Sequence, residues 1–253
     1  MNKLLLGNTS SDKRIAIVNH LINLRNAIIL SLAVVVIAAF VSFYFSEILL
    51  DFILNPMQAF NTSLIVTRVT EAFIVRIKLS FLAGFIVTFP LILWFFWRNF
   101  KTLLPPEFRK YIYIIIPSCM IMFVSGMCFA YFIVLQAVLN FFIYMAGDLL
   151  EPVFKVEQFV SFVMAFTLPF GLIFQMPVVT FFLAKLGIIQ YEKMAKNRKY
   201  AALVIVILAA LLTPGPDPFS QLIMGIPMYL LYEISILLAR ISVKRSNLSE
   251  PLE

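Results

Sequence analysis

Two carboxylates, Asp217 and Glu233, stand inside the apolar segment LLTPGPDPFSQLIMGIPMYLLYEI, Leu211 to Ile234. Asp217 followed by Pro218 has the form of a helix N-cap with proline at the first helical position, where no N–H is needed and the aspartate oxygen meets a backbone donor. On that reading Asp217, with Pro214 and Pro218, is the structural cap of a turn on the extracytoplasmic side. Glu233 is fifteen residues beyond Pro218, roughly 22 Å along a helix at 1.5 Å per residue, a depth where ionisable groups face a bundle interior or a wet cavity. Gln175, in FQMPVV, is a neutral amide at a similar depth in another apolar run, and the matched depths predict a polar contact between Gln175 and Glu233. Other chemistries lack their parts. The single histidine, His20, precedes the first apolar run, so neither a His-rich metal site nor a Ser-His pair assembles in the membrane. No aspartate falls within a run to form a dyad, and the eight glycines build no P-loop or dinucleotide fingerprint. No cofactor is implied.

The elements that must position these residues are hydrophobic helices. The 253-residue chain is 62% hydrophobic and 13% charged, and its apolar runs approach the ~20 residues that a helix needs to cross the hydrocarbon core. They fall near 27–46, 79–97, 111–145, 159–184, 200–212 and 219–239. This predicts an all-α integral membrane protein with six transmembrane helices, made of a tail at 1–26, a membrane domain at 27–240 and a tail at 241–253. The third run is long enough to tilt or break, with Pro117 the expected kink, and the fifth is too short for an ordinary bilayer. Spans five and six are therefore expected to form a short hairpin. Cys119 and Cys128 lie on opposite faces of one run and read as small buried hydrophobes.

Of the twenty lysines and arginines, sixteen fall in the two tails, in the loops 98–110 and 185–199, and at Arg240 just beyond the last apolar run. Only Arg68, Arg76, Lys78 and Lys155 fall on the other side. Basic loops stay cytoplasmic, so both termini are expected inside and the segments 47–78, 146–158 and 213–218 outside. The net charge of +7 is then a topology signal. Basic residues spread over several loops, without aromatics interleaved on one face, disfavour nucleic-acid binding.

Several segments carry a resemblance. LTPGPDPFSQLIMGIPMYLLYEISILLAR, Leu212 to Arg240, closely resembles the signature of the TatC family, the multi-span subunit of the twin-arginine protein translocase. HLINLR (His20 to Arg25) resembles its HLxELR motif, EAFIVRIK (Glu71 to Lys78) the entry to its second span, and LLPPEFRK (Leu103 to Lys110) its first cytoplasmic loop. GMCFAYF resembles its third span, and FVSFVMAF with FQMPVV its fourth. The resemblance implies a glove-like concave bundle with both termini cytoplasmic, in a bacterial inner membrane or an organellar inner membrane. It implies recognition of twin-arginine signal peptides and export of folded proteins driven by the proton-motive force. It also implies single-span TatA-like and TatB-like partners, surrounding lipid, and a homo-oligomer within the receptor complex. A secondary transporter or channel is the alternative; it would favour inverted or parallel repeats, and none is visible.

The family's signal-peptide site uses a glutamate in HLxELR and another in the first cytoplasmic loop. The resemblance assigns Glu107 to the second, with His20 and Arg25 in the first motif, but Asn23 stands where the first glutamate belongs and Ala27 where a second arginine is often found. Asparagine accepts a hydrogen bond from guanidinium without supplying charge. Gln175 likewise occupies the place of a membrane-embedded glutamate in span four, and a neutral amide cannot titrate.

Overall fold

The computed structural model describes residues 10–58, 64–100, 112–146, 154–213 and 217–247. Its helices are α1 (Ser10–Phe43), α2 (Ser46–Gln58), α3 (Glu71–Phe100), α4 (Ile112–Phe129), α5 (Leu135–Ala146), α6 (Val156–Ile173), α7 (Met176–Lys185), α8 (Tyr191–Lys196), α9 (Arg198–Leu212) and α10 (Pro218–Asn247). A π turn, Ala130–Val134, joins α4 to α5, and two short strands, β1 (Leu64–Ile65) and β2 (Phe154–Lys155), pair in parallel. All six apolar runs are helical. Hydrocarbon offers no partner for backbone N–H and C=O groups, so each run satisfies them within itself.

Among the described residues, five stretches are long and apolar enough to cross a membrane: Leu21–Phe43, Glu71–Asn99, Tyr113–Met145, Val156–Lys185 and Pro218–Ser242. Their outer faces carry large apolar side chains, with Phe40 78%, Ile121 69% and Leu222 60% exposed. In water such surfaces would drive association; in lipid they are solvated. The 15-residue α9 is the short arm of a hairpin with α10.

The helices divide between two compact units. In the first, α1 meets the part of α3 beyond Ser80. A Cβ on Gly84 would stand 2.7 Å from the Ala39 backbone nitrogen, so only glycine permits this approach. The second unit holds the remainder. Its core gathers Ala130, Val134 and Val138 with Phe166 and Phe170, and with Ile205, Ala209, Met224 and Met228. Small residues set the spacing of spans three and four: a Cβ on Gly126 would lie 2.7 Å from the Phe170 carbonyl oxygen, and one on Gly171 would lie 2.8 Å from the Phe123 ring. Packing rather than hydrophobic exclusion holds helices together in lipid, so these contacts fix the crossing.

Several details differ from the sequence expectations. α1 begins at Ser10, within the segment read as a tail, and the 47–78 segment contains α2, whose Ile53 and Met57 are buried. α4 continues through Pro117; the irregularity in span three is the π turn, where the Leu135 N–H donates to the Ala130 carbonyl. The extra residue turns Tyr131 inward, where it stacks on Phe52 of α2 and donates its hydroxyl to the Phe52 carbonyl. Of the cysteines, Cys119 is buried and Cys128 exposed, so only the first behaves as a core residue.

Candidate functional site

Polar side chains within the second unit gather at three levels. At the first, Glu71, the opening residue of α3, is 3% exposed. One carboxylate oxygen accepts from the Thr67 N–H (2.7 Å), the Thr67 hydroxyl (3.0 Å) and the Arg68 N–H (3.3 Å). The other accepts from the Glu157 N–H at 3.0 Å, at the start of α6. One acid thus satisfies backbone donors of the chain entering α3 and an orphan donor in the first turn of α6. One turn along α6, Ser161 accepts from the Lys78 ammonium (3.0 Å), which also meets Glu157 at 2.8 Å. The β1–β2 pair and the Arg76–Glu47 ion pair, 2.8 Å, complete the clasp.

At the second level span four breaks. Pro177 has no N–H to give and its ring crowds the preceding turn, so α6 stops at Ile173 and α7 starts at Met176. The Gln175 N–H bonds to Leu172 rather than to Gly171. The freed Gly171 carbonyl instead accepts from the Gln175 side-chain amide at 3.3 Å, and the same amide donates to the Cys119 carbonyl in α4 at 3.1 Å. Gln175 therefore braces the break against span three. Its donors face two carbonyl oxygens, an arrangement that suits an amide rather than a carboxylate.

The third level corrects the predicted contact between Gln175 and Glu233. Glu233 instead receives a bidentate pair from Arg198, at 2.7 and 3.0 Å, and the Tyr229 hydroxyl at 3.1 Å. The reason is the length of α9. Fifteen residues down α10 lies level with the first residue of its 15-residue antiparallel neighbour, so Glu233 sits at the mouth of the hairpin with its side chain 32% exposed. The adjacent Tyr232 hydroxyl donates to the Met194 carbonyl at 2.8 Å, tying α10 to α8.

At the opposite end of α10, the Asp217 carboxylate accepts from the Ser220 N–H at 2.7 Å, with Pro218 the first helical residue. Pro214 lies outside the described residues. In the first unit Asn23 is exposed on α1, and its carbonyl accepts from the Asn99 amide at 3.3 Å. This brings the HLINLR segment beside the end of α3. Arg25 donates to the neighbouring Asn26 side chain at 3.3 Å. His20 lies in α1 with its side chain outside the description, and Glu107 is outside the described residues.

Glu71, Lys78, Glu157 and Arg198 were not singled out by the sequence reading. One signal was available: Lys78 stands at the edge of one apolar run and Glu157 at the edge of another that begins on the same side. A charge at such an edge is stabilised by an opposite one at the same level.

Long helices with apolar outer faces, interior polar braces and a short terminal hairpin define a multi-pass α-helical membrane protein. A family model described as Sec-independent protein translocase protein (TatC) matches residues 19–227. A protein of that name from Carboxydothermus hydrogenoformans is 42% identical over 90% of this chain and 94% of its own length; one from Aquifex aeolicus is 34% identical over 90% and 96%. A crystal structure described as the twin-arginine translocase receptor TatC superposes with a TM-score of 0.82 at 33% identity, covering 88% of this chain and 99% of its own. The chain belongs to the TatC family of protein-transport subunits.

Proposed function

We propose that the chain recognises twin-arginine signal peptides and, with TatA-like and TatB-like single-span partners, exports folded proteins across an energised bacterial inner membrane, driven by the proton-motive force. The similarity along residues 19–227 to a translocase family, together with the structural likeness to a translocase receptor, carries this reading. The membrane domain is residues 27–240, flanked by cytoplasmic tails, and the chain works as a homo-oligomer within the receptor complex. The distribution of lysine and arginine supports the orientation, with loops 98–110 and 185–199 inside and Asp217 outside.

Glu107 is the principal anionic contact for the arginine pair, because carboxylate and guanidinium match bidentately. Asn23 is a neutral partner on α1, flanked by His20 and Arg25. The Asn99 contact supports a shared location, since it draws the Asn23 backbone to the start of the loop that carries Glu107. Complementation of a strain lacking its own TatC, scored by export of a twin-arginine reporter, tests the whole reading; absence of export with the chain correctly inserted sinks it. Peptide binding tests the site. Glu107→Gln weakens a twin-arginine peptide by about one to two orders of magnitude, and Asn23→Glu tightens it, more at low salt. Unchanged affinity and unchanged preference over twin lysine in Glu107→Gln place the site elsewhere.

A further inference from the structure

A cleft of about 700 Å³ opens between the first turns of α6 and the last turn of α9. Glu157 and Ser161 lie on its polar side, while Phe162, Ala165, Leu211 and Leu212 form an apolar side. The volume falls in the range of small-molecule sites, and an apolar floor with a few convergent polar groups is the usual build of such a site. We propose that this cleft seats the head and upper acyl chain of a zwitterionic phospholipid bearing a primary ammonium.

Two independent observations select that occupant. Lys78 does not line the cleft but bonds two residues that do, Glu157 and Ser161, so unused valences of both signs stand at its polar side. Lys78 donates to Glu157 and Ser161, two of the three bonds an ammonium can give. Glu157 receives Lys78 on one oxygen, and no described residue bonds its other oxygen. Their side chains are 35% and 36% exposed. A phosphate beside the third ammonium proton and a primary ammonium beside the free carboxylate oxygen complement this dipole, whereas a head carrying only negative charge meets Glu157. The second observation is the length of α9. Fifteen residues give about 22 Å of helix against about 30 Å of hydrocarbon, so apolar thickness beside this helix is left uncovered. The cleft lies at one end of α9, with Leu211 78% exposed beside it. A lipid held there fills the uncovered depth without requiring the bilayer to thin. The assignment does not rest on signal-peptide recognition, so the two fail separately.

Native mass spectrometry of the purified full chain, with phosphatidylethanolamine, phosphatidylcholine or phosphatidylglycerol added singly, reads the site directly. One phosphatidylethanolamine is expected to survive activation about tenfold more than phosphatidylglycerol, the difference that one charge-assisted hydrogen bond makes. Phosphatidylcholine, whose quaternary ammonium donates no hydrogen bond, falls between them. Glu157→Gln removes the discrimination, and Ala165→Trp, which fills the apolar floor, removes the adduct. Ala165→Leu, a smaller filling, is made alongside in case the tryptophan prevents folding, with gel-filtration behaviour as the check. Equal retention of all three lipids, or an adduct untouched in a folded Ala165 variant, overturns the proposal. So does crosslinking of a single-span partner to Ala165→Cys with equal yield whether or not phosphatidylethanolamine is present, which makes the cleft a protein groove.

Discussion

Replacing Gly126 with alanine tests whether spans three and four are held at a fixed crossing. The new methyl carbon would lie 2.7 Å from the Phe170 carbonyl oxygen, against an ordinary contact that begins near 3.4 Å, so the helices must part by about 0.7 Å. The opposing atom is backbone, which cannot swing aside, and Phe174 blocks a second direction at 2.7 Å. Such a separation would lengthen the Gln175–Cys119 contact from 3.1 Å to about 3.8 Å, beyond hydrogen-bonding range. Overpacking of this kind costs about 1–3 kcal/mol and the interhelical bond about 0.6, while alanine returns about 0.5–1 kcal/mol of helix propensity. The expected net loss is about 0.6–3 kcal/mol, read as a lower midpoint of SDS-induced unfolding in mixed micelles. The other glycines calibrate the scale. Gly84→Ala meets backbone at 2.7 Å and belongs with Gly126→Ala; Gly171→Ala meets the side chains of Phe123 and Met127 and loses less. Gly225→Ala has its nearest neighbour at 4.0 Å and should stabilise, by about 0.5–1 kcal/mol. Gly187, at φ +73° after α7, has open space around it, but alanine there costs about 1–2 kcal/mol through the left-handed backbone alone. If Gly126→Ala unfolds at the same midpoint as Gly225→Ala, close backbone approach does not set the crossing and the reasoning is wrong.

Asp217→Ala leaves the Ser220 N–H without its acceptor and should cost about 0.5–2 kcal/mol in the same assay, with Asp217→Asn retaining most of it. Glu71→Gln keeps one acceptor oxygen but turns an N–H₂ toward backbone donors, so amide exchange at Thr67, Arg68 and Glu157 should accelerate together; unchanged rates would show that β1–β2 pairing alone holds the clasp. Arg198→Glu and Glu233→Arg should each loosen the α9–α10 hairpin, read as faster exchange across α9. The double exchange should restore protection, because the bidentate pair carries the contact.

The existence of six helical runs was legible because an apolar run of spanning length is a strong signal, whereas α1, α3 and α10 extend beyond the runs into polar sequence. The Asp217–Pro218 cap was legible too, since capping is decided by a handful of neighbouring atoms. The irregularities inside the spans were not. Pro117 and Pro177 look alike as residues, yet α4 runs through the first and span four breaks just before the second. The difference lies in the neighbourhood: near Pro177, Gln175 can replace the lost donor to Gly171 while reaching Cys119 on another helix, a contact that sequence separation hides. The π turn was invisible for the same reason, because its inward Tyr131 is repaid by Phe52, which is 79 residues away.

The predicted Gln175–Glu233 contact fails for an instructive cause. Gln175 and Glu233 lie at matched depths when each is counted along its own helix from the side where that helix enters. Polar side chains in this protein are satisfied instead by what stands at the same level on a packed neighbour. Glu71 meets the Glu157 N–H because α3 and α6 start together, whereas Glu233 meets Arg198 because α9 is only 15 residues long and its first residue falls beside the fifteenth step of α10. A carboxylate that reads from the sequence as deeply buried is therefore at the hairpin mouth. The amide at Gln175 does remain within span four, and it is bonded to backbone carbonyls that would repel a negative charge. Lengthening α9 by one turn would separate these cases: it moves Arg198 about 5.4 Å away from Glu233 and leaves the Gln175 brace untouched. The hairpin should then lose its ion pair while the crossing of spans three and four keeps its stability.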